Sequence, residues 1–228
     1  MGTTEHTVKA FDEDIGELRG LISEMGGRAE AAIVAAMDAL VKSDTRAAGR
    51  IVSEDARIDD LEAQVERLAV RIIALRAPMA DDLREVVAAI KIAGVIERIG
   101  DYAKNIAKRV PLIESRRTIE PISLLPAMAN TATEMVHDVL NAFAARNAQG
   151  ALDVVERDKV VDDFYNSIFR TLVTFMMENP KTIGEAAHLL FVAKNLERVG
   201  DHATNVAEMV YYAATGEYLA DRERGGED

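Results

Sequence analysis

The sequence predicts an all-α protein, two tandem three-helix bundles (six long helices) related by an internal duplication. Three observations predict it. Apolar residues recur at three- and four-residue spacing, and no period-two stretch competes with them. The block Glu97-Arg98-Ile99-Gly100-Asp101-Tyr102-Ala103-Lys104-Asn105-Ile106-Ala107 returns as Glu197-Arg198-Val199-Gly200-Asp201-His202-Ala203-Thr204-Asn205-Val206-Ala207, the mark of a repeated unit. Hydrophobic residues make up 49% of the chain, with five Pro and no Cys or Trp, a helix-rich usage.

The first helix is predicted from about Val8 to Lys42, with Gly26-Gly27 as a weak point. Ser43-Asp44 reads as a turn and N-cap. The second helix continues to about Arg76, where Ala77-Pro78 breaks it. The third starts near Met79, carries Asp81 and Asp82 in its first turn and is stopped after Val110 by Pro111. Residues 114–126, with Pro121 and Pro126, read as a linker. The pattern then restarts. A fourth helix spans about Ala127 to Arg146, a fifth Ala148 to Glu178, and a sixth Lys181 to about Tyr212. Asn147 corresponds to Asp44 and Asn179-Pro180 to Ala77-Pro78, and 39–55 aligns without a gap on 142–158. The domains expected are therefore 1–115 and 116–228, with a frayed tail after Gly216.

A formal charge of −12 opposes binding to nucleic acid or anionic lipid, which need clustered Lys and Arg. Proteins or cations are the expected partners. The lack of Cys removes disulfides, thiolate metal sites and thiol catalysis, and suits a reducing cytoplasm. No apolar run reaches the length of about 18 residues that spans a bilayer. Residues 1–11 carry acids and no apolar core, unlike a signal peptide, and His6 stands where a myristoylation signal needs Ser or Thr.

Glu97, Asp101 and Asn105 follow each other at four-residue steps and share one helix face, as do Glu197, Asp201 and Asn205. On the third helix they continue an apolar seam of Leu83, Val86, Val87 and Ile90, while Ile92, Ile96, Ile99, Ala103, Ile106 and Val110 form a second apolar face. The preceding helices supply Asp55 with Asp59 and Asp158 with Asp162, each pair beside an apolar stripe. Like charges at this spacing weaken a helix by a few tenths of a kcal/mol per pair, and gathering four raises the penalty unless a proton or cation offsets it. Oxygen donors of this kind suit divalent or trivalent metal ions such as Mg, Ca, Mn or Fe. Asn105 and Asn205 are candidates to ligate or to orient a carboxylate. Against this stands a solvated acidic face in which Arg98 and Lys104 pair with Asp101. Gly100 and Gly200 each cost about 1 kcal/mol mid-helix, and close helix packing is the expected reason for them.

The doubled Glu-Arg-(Ile/Val)-Gly-Asp-x-Ala-x-Asn-(Ile/Val)-Ala block resembles the PhoU family, and the resemblance runs to about Tyr212. It implies a cytosolic regulator, not an enzyme, that restrains a high-affinity phosphate ABC transporter through its ATPase and helps silence a phosphate sensor histidine kinase when phosphate is plentiful. It implies metal binding through Glu97/Asp101 and Glu197/Asp201, with Asp55/Asp59 and Asp158/Asp162 as second pairs, and a homodimer or higher oligomer. The sequence offers no Gly-rich anion loop or Arg/Lys cluster for free phosphate. Any response to phosphate is therefore expected to run through partner state or a bound cation. Two alternatives are a metal-free helical adaptor and a di-iron carboxylate enzyme. The second draws on Glu134-x-x-His137 and Glu185-x-x-His188, though Glu85 is followed by Ala88 in the first repeat. No Ser-His-Asp, Cys-His or nucleotide-binding arrangement supports hydrolase or kinase chemistry.

Overall fold

Ser43-Asp44 and Arg146-Asn147, corresponding turns of the two repeats, fold alike down to their hydrogen bonds. In the computed structural model, which describes residues 2–113 and 123–219, with side chains from residue 10 onward, Ser43 and Arg146 take left-handed backbone, with φ of 64° and 50°. The amides that follow donate five residues back, Asp44 to the Ala39 carbonyl at 3.0 Å and Asn147 to that of Ala142 at 2.8 Å. This is the closing bond of a Schellman turn. The Asp44 carboxylate then accepts from the Arg46 and Ala47 amides, and the Asn147 side chain from Gly150.

These signals delimit α1 (Gly2–Lys42), α2 (Thr45–Glu54), α3 (Ala56–Arg76), α4 (Asp81–Arg109), α5 (Leu125–Ala144), α6 (Ala148–Glu178) and α7 (Ile183–Thr215). The second helix predicted from sequence is α2 plus α3. Asp55 between them keeps helical dihedrals, but the Ile58 amide reaches back only three residues to its carbonyl, at 2.8 Å, a local tightening of the turn. The predicted third helix starts two residues late because Ala77 and Ala80 both take positive φ. The fourth predicted helix starts two residues early. Leu125 opens α5 and Pro126 sits in its first turn, where a missing amide hydrogen removes no helical bond. Residues 114–122, the predicted domain boundary and the tail 220–228 lie outside the described residues.

Gly26-Gly27 does not weaken α1. The Leu140 side chain of α5 occupies the space a Cβ at Gly26 would fill, so this glycine lets the repeats approach. Further along, α4 and α7 pack antiparallel. Arg84 near the start of α4 lies against Gly216 beyond the end of α7, and Arg109 at the end of α4 meets His188 near the start of α7. Between these ends Tyr102 and His202, corresponding residues of the two copies, meet edge to face with centroids 5.2 Å apart. Burial holds the His202 imidazole below its usual pKa. Buried side chains run without a break from Leu18, Ile22 and Ile33 of α1, through Ile92, Ile96 and Ile106 of α4, to Val139 of α5 and Leu196 of α7. The two repeats thus share one core.

The second apolar face predicted on the third helix is wholly buried. The seam leading to the carboxylates is only half so: Val86 is buried, whereas Leu83 and Val87 are 38% and 37% exposed. A helix that packs on α1, α3 and α7 at once centres its buried arc on the face all three share, and the seam lies at its edge. Among the described residues no helix is long and apolar enough to cross a membrane.

Candidate functional site

Two grooves, one between α3 and α4 and one between α6 and α7, collect the duplicated acids. In the first, Glu97 is held above the usual glutamate range by burial, with Asp101, Glu62, Asp59 and Asp55 adding their fields. Asp59 is raised by burial and then by Asp55, with Lys104 opposing. In the second, burial pushes Asp158 up to about 6, and Asp162, Asp201 and Glu197 push the same way. The eight acids singled out by sequence therefore stand as two groups of four, paired across helices as the duplication implies. Asp55 is buried, Glu97, Asp101, Asp158 and Glu197 are partly buried, and Asp59, Asp162 and Asp201 are exposed. Asn105 and Asn205 are exposed one turn beyond.

The mid-helix glycines make room for the neighbouring helix, Gly200 for the Asp158 carboxylate and Gly100 for Ile58. A Cβ at Gly200 would lie 2.8 Å from Asp158 Oδ1, and one at Gly100 would lie 2.7 Å from the Ile58 Cδ1 atom and 3.7 Å from Asp55 Oδ1. Real Cβ contacts do not come so close, and the helix propensity lost at glycine is the cost of this close approach, which at Gly200 lets a carboxylate lie against the neighbouring helix.

The two nests are neutralised differently. In the first, Lys104 Nζ donates to Asp55 Oδ2 at 2.5 Å and to Asp101 Oδ1 at 2.7 Å. These bonds raise the lysine's pKa well above its ordinary value. A cavity of about 220 Å³ opens beside this pair, lined also by Arg28, Ala32, Ile51 and Gly100. In the second nest Thr204 takes the place of Lys104, and its hydroxyl donates back to the Gly200 carbonyl at 3.2 Å. The lysine bonded to an acid of this nest is Lys194, 2.5 Å from the Glu197 carboxylate and 5.2 Å above the Tyr165 ring. It leaves Asp158 untouched. Asp158 Oδ1 is shielded from solvent without a partner, and neither Asp162 nor Asp201 has an ion pair among the described residues.

The sequence singled out Lys104 only as a partner of Asp101. Its bond to Asp55, 49 residues away, needed knowledge of which helices adjoin. Lys194 went unremarked, although Gly94 at the corresponding place was a usable contrast. Glu62, which the duplication does not mark because Tyr165 stands at the corresponding place, also borders the first nest.

An all-oxygen donor set containing an orphaned, desolvated oxygen fits a hard di- or trivalent cation. The second nest has that composition. In the first, an ammonium group already sits between the carboxylates. Among the described residues no three His, Asp or Glu side chains converge as they stand, so closing on an ion requires the exposed Asp162 and Asp201 to turn inward. The histidines of the di-iron alternative lie elsewhere. His137 is 3.3 Å from Glu30, and His188 is 3.4 Å from the Arg109 guanidinium, a cation that opposes metal binding there.

Comparison with known proteins follows both repeats. The PhoU domain family matches residues 22–110 and 125–210. A phosphate-specific transport system accessory protein PhoU homolog of Zymomonas mobilis is 56% identical over 220 residues, covering 96% of this chain and 93% of the relative. The Caulobacter vibrioides homolog is 46% identical, covering 95% and 94%. The crystal structure of PhoU from Pseudomonas aeruginosa superposes with a TM-score of 0.86 at 34% identity, covering 91% of this chain and all of that one. The phosphate transport system regulatory protein PhoU from Streptococcus pneumoniae gives the same TM-score at 27% identity, covering 92% and 99%.

Proposed function

The chain belongs to the PhoU family, and on that premise we propose that it restrains phosphate uptake and phosphate-responsive signalling through contacts with the transporter ATPase and the sensor kinase. Its second nest, Asp158, Asp162, Asp201 and Glu197, holds a divalent or trivalent cation when one is bound. The observation that supports the regulatory part is the match of both repeats to one family along nearly the full chain, with 56% identity to a phosphate transport accessory protein. The observation that supports the cation is the solvent-shielded, unpaired Asp158 Oδ1 beside other carboxylates.

The residues divide the work as their surroundings dictate. Asp158, pinned between α6 and Gly200, fixes one donor. Asp162 and Asp201, exposed and without an ion pair among the described residues, complete the set by rotating, and Lys194 keeps Glu197 in place beside it. A cation there supplies the charge that offsets the carboxylates' repulsion and draws α6 onto α7. The surface presented by these two helices then depends on cation occupancy.

The test is genetic and direct. In phosphate-replete cells lacking this gene, phosphate uptake and a phosphate-starvation reporter rise, and the wild-type gene restores both to the repressed level. An unchanged reporter and unchanged uptake in the deletion strain contradict the regulatory reading. Calorimetry of metal-free protein with inorganic phosphate is expected to show no tight binding, since neither nest offers an anion site.

A further inference from the structure

The two repeats each carry one lysine at the acidic groove, but at non-equivalent places. Lys104 bridges Asp55 and Asp101 across α3 and α4 at 2.5 and 2.7 Å. The Asp55 side chain is 8% exposed and that of Lys104 24%, so the ion pair is largely withdrawn from water and its attraction is less screened than at the surface. In the second copy position 204 is Thr, turned back onto its own helix, and Lys194 holds only Glu197. The position equivalent to Lys194 in the first copy is Gly94, which carries no charge.

We propose that Lys104 is a tethered cation that closes the first nest to metal, so that this duplicated protein carries one exchangeable cation site, in the second repeat. This rests on the reading above that the second nest binds a cation. The chemistry is competition. An ion entering the first nest must displace an ammonium group that is covalently held beside its two carboxylates and so present at high effective concentration. The displaced group would then remain next to the ion as a like charge. Thr204 offers no such opposition. The first nest shares four acids with the second, Glu97, Asp101, Asp55 and Asp59 standing for Glu197, Asp201, Asp158 and Asp162. It adds Glu62 at its border, and the second adds Lys194, which bonds a carboxylate of its own helix and does not bridge to α6. Position 104 against 204 is the difference that puts an ammonium between carboxylates of two helices in one nest and not in the other.

The experiment measures Mn²⁺ bound to full-length protein, by electron paramagnetic resonance of the free ion and by elemental analysis after dialysis. The proteins are wild type, D158N/D201N, D158N/D201N/K104T and T204K, each checked for helicity and melting temperature. Wild type binds Mn²⁺, D158N/D201N loses it by at least tenfold in affinity, and adding Lys104→Thr to that variant restores binding through the first nest. Thr204→Lys alone abolishes wild-type binding, and this arm needs no buried carboxylate to be left unpaired. The proposal is overturned if D158N/D201N still binds as wild type does, or if Lys104→Thr restores nothing while Thr204→Lys leaves binding intact. Should wild type bind no Mn²⁺ while the triple variant does, the gating role of Lys104 stands and the cation reading of the second nest fails. Absence of binding in every protein overturns both.

Discussion

Gly200 sets the tightest tolerance in the second nest. Alanine there gains about 1 kcal/mol of helix propensity. It also drives a methyl to within 2.8 Å of Asp158 Oδ1, a short side chain with little room to retreat, and overpacking of this kind costs about 1–3 kcal/mol. Gly200→Ala is therefore expected to destabilise the protein by about 1 kcal/mol and to weaken Mn²⁺ binding. Gly100→Ala meets the free end of Ile58, which can rotate away, and its stability stays within about 0.5 kcal/mol of wild type. Urea denaturation of both variants checks the contrast. Asp158 makes a second prediction. Its folded carboxyl, raised from 3.8 to about 6, binds a proton more tightly than the unfolded one. Stability of the metal-free protein thus falls as pH rises from about 4 to about 6. The shift corresponds to about 3 kcal/mol, reduced to about 1–2 by solvent screening of a half-buried group. Asp158→Asn should be more stable than wild type by that amount at pH 7 and equal to it below pH 4, read from melts across the range.

Helices and turns were legible because their signals are local. Asp44 and Asn147 cap, Ala77-Pro78 breaks, and the second predicted apolar face is the buried one, each within a few residues of its cause. What was not legible was pairing between helices. Glu85 sits on the buried face of α4 beside Val86, Ala88 and Ala89, where an acid demands a partner. Its partners are Arg19, 66 residues away at 2.5 Å, and Arg146, 61 residues away. This contact clamps α1, α4 and the α5–α6 turn together across the repeats. Glu85→Ala is expected to cost about 2–4 kcal/mol through two lost charged hydrogen bonds and a cavity. Arg19→Ala, which leaves the Arg146 bond, should cost less. Chemical denaturation of the two variants ranks them, and equal costs would contradict the shared clamp. The interruption at Asp55 escaped sequence reading for the same reason, since it accompanies a carboxylate that bonds to Lys104 on another helix.

At the scale of the whole molecule, duplication suggests two domains, and the structure joins them. The buried faces of α4 and α7 are packed on each other, and Leu140 of one repeat fills the groove at Gly26 of the other. A fragment covering residues 1–115 would expose the α4 face that α7 covers. We expect it to be aggregated or poorly structured by circular dichroism and size-exclusion chromatography, while the full chain melts in one transition. The two-fold likeness of the fold was readable in the repeated block. The unlikeness of the two nests was not, because it turns on which lysine reaches which carboxylate. That electrostatic difference is the centre of the account, and carbon-13 titration of the aspartate carboxyls in metal-free protein tests it most directly. One aspartate, lost in Asp158→Asn, should titrate at about 6 and fall to the ordinary carboxylate range or below when Ca²⁺ is added. If Asp158 titrates at its ordinary value and Ca²⁺ does not move it, the second nest is no hungrier for charge than the first.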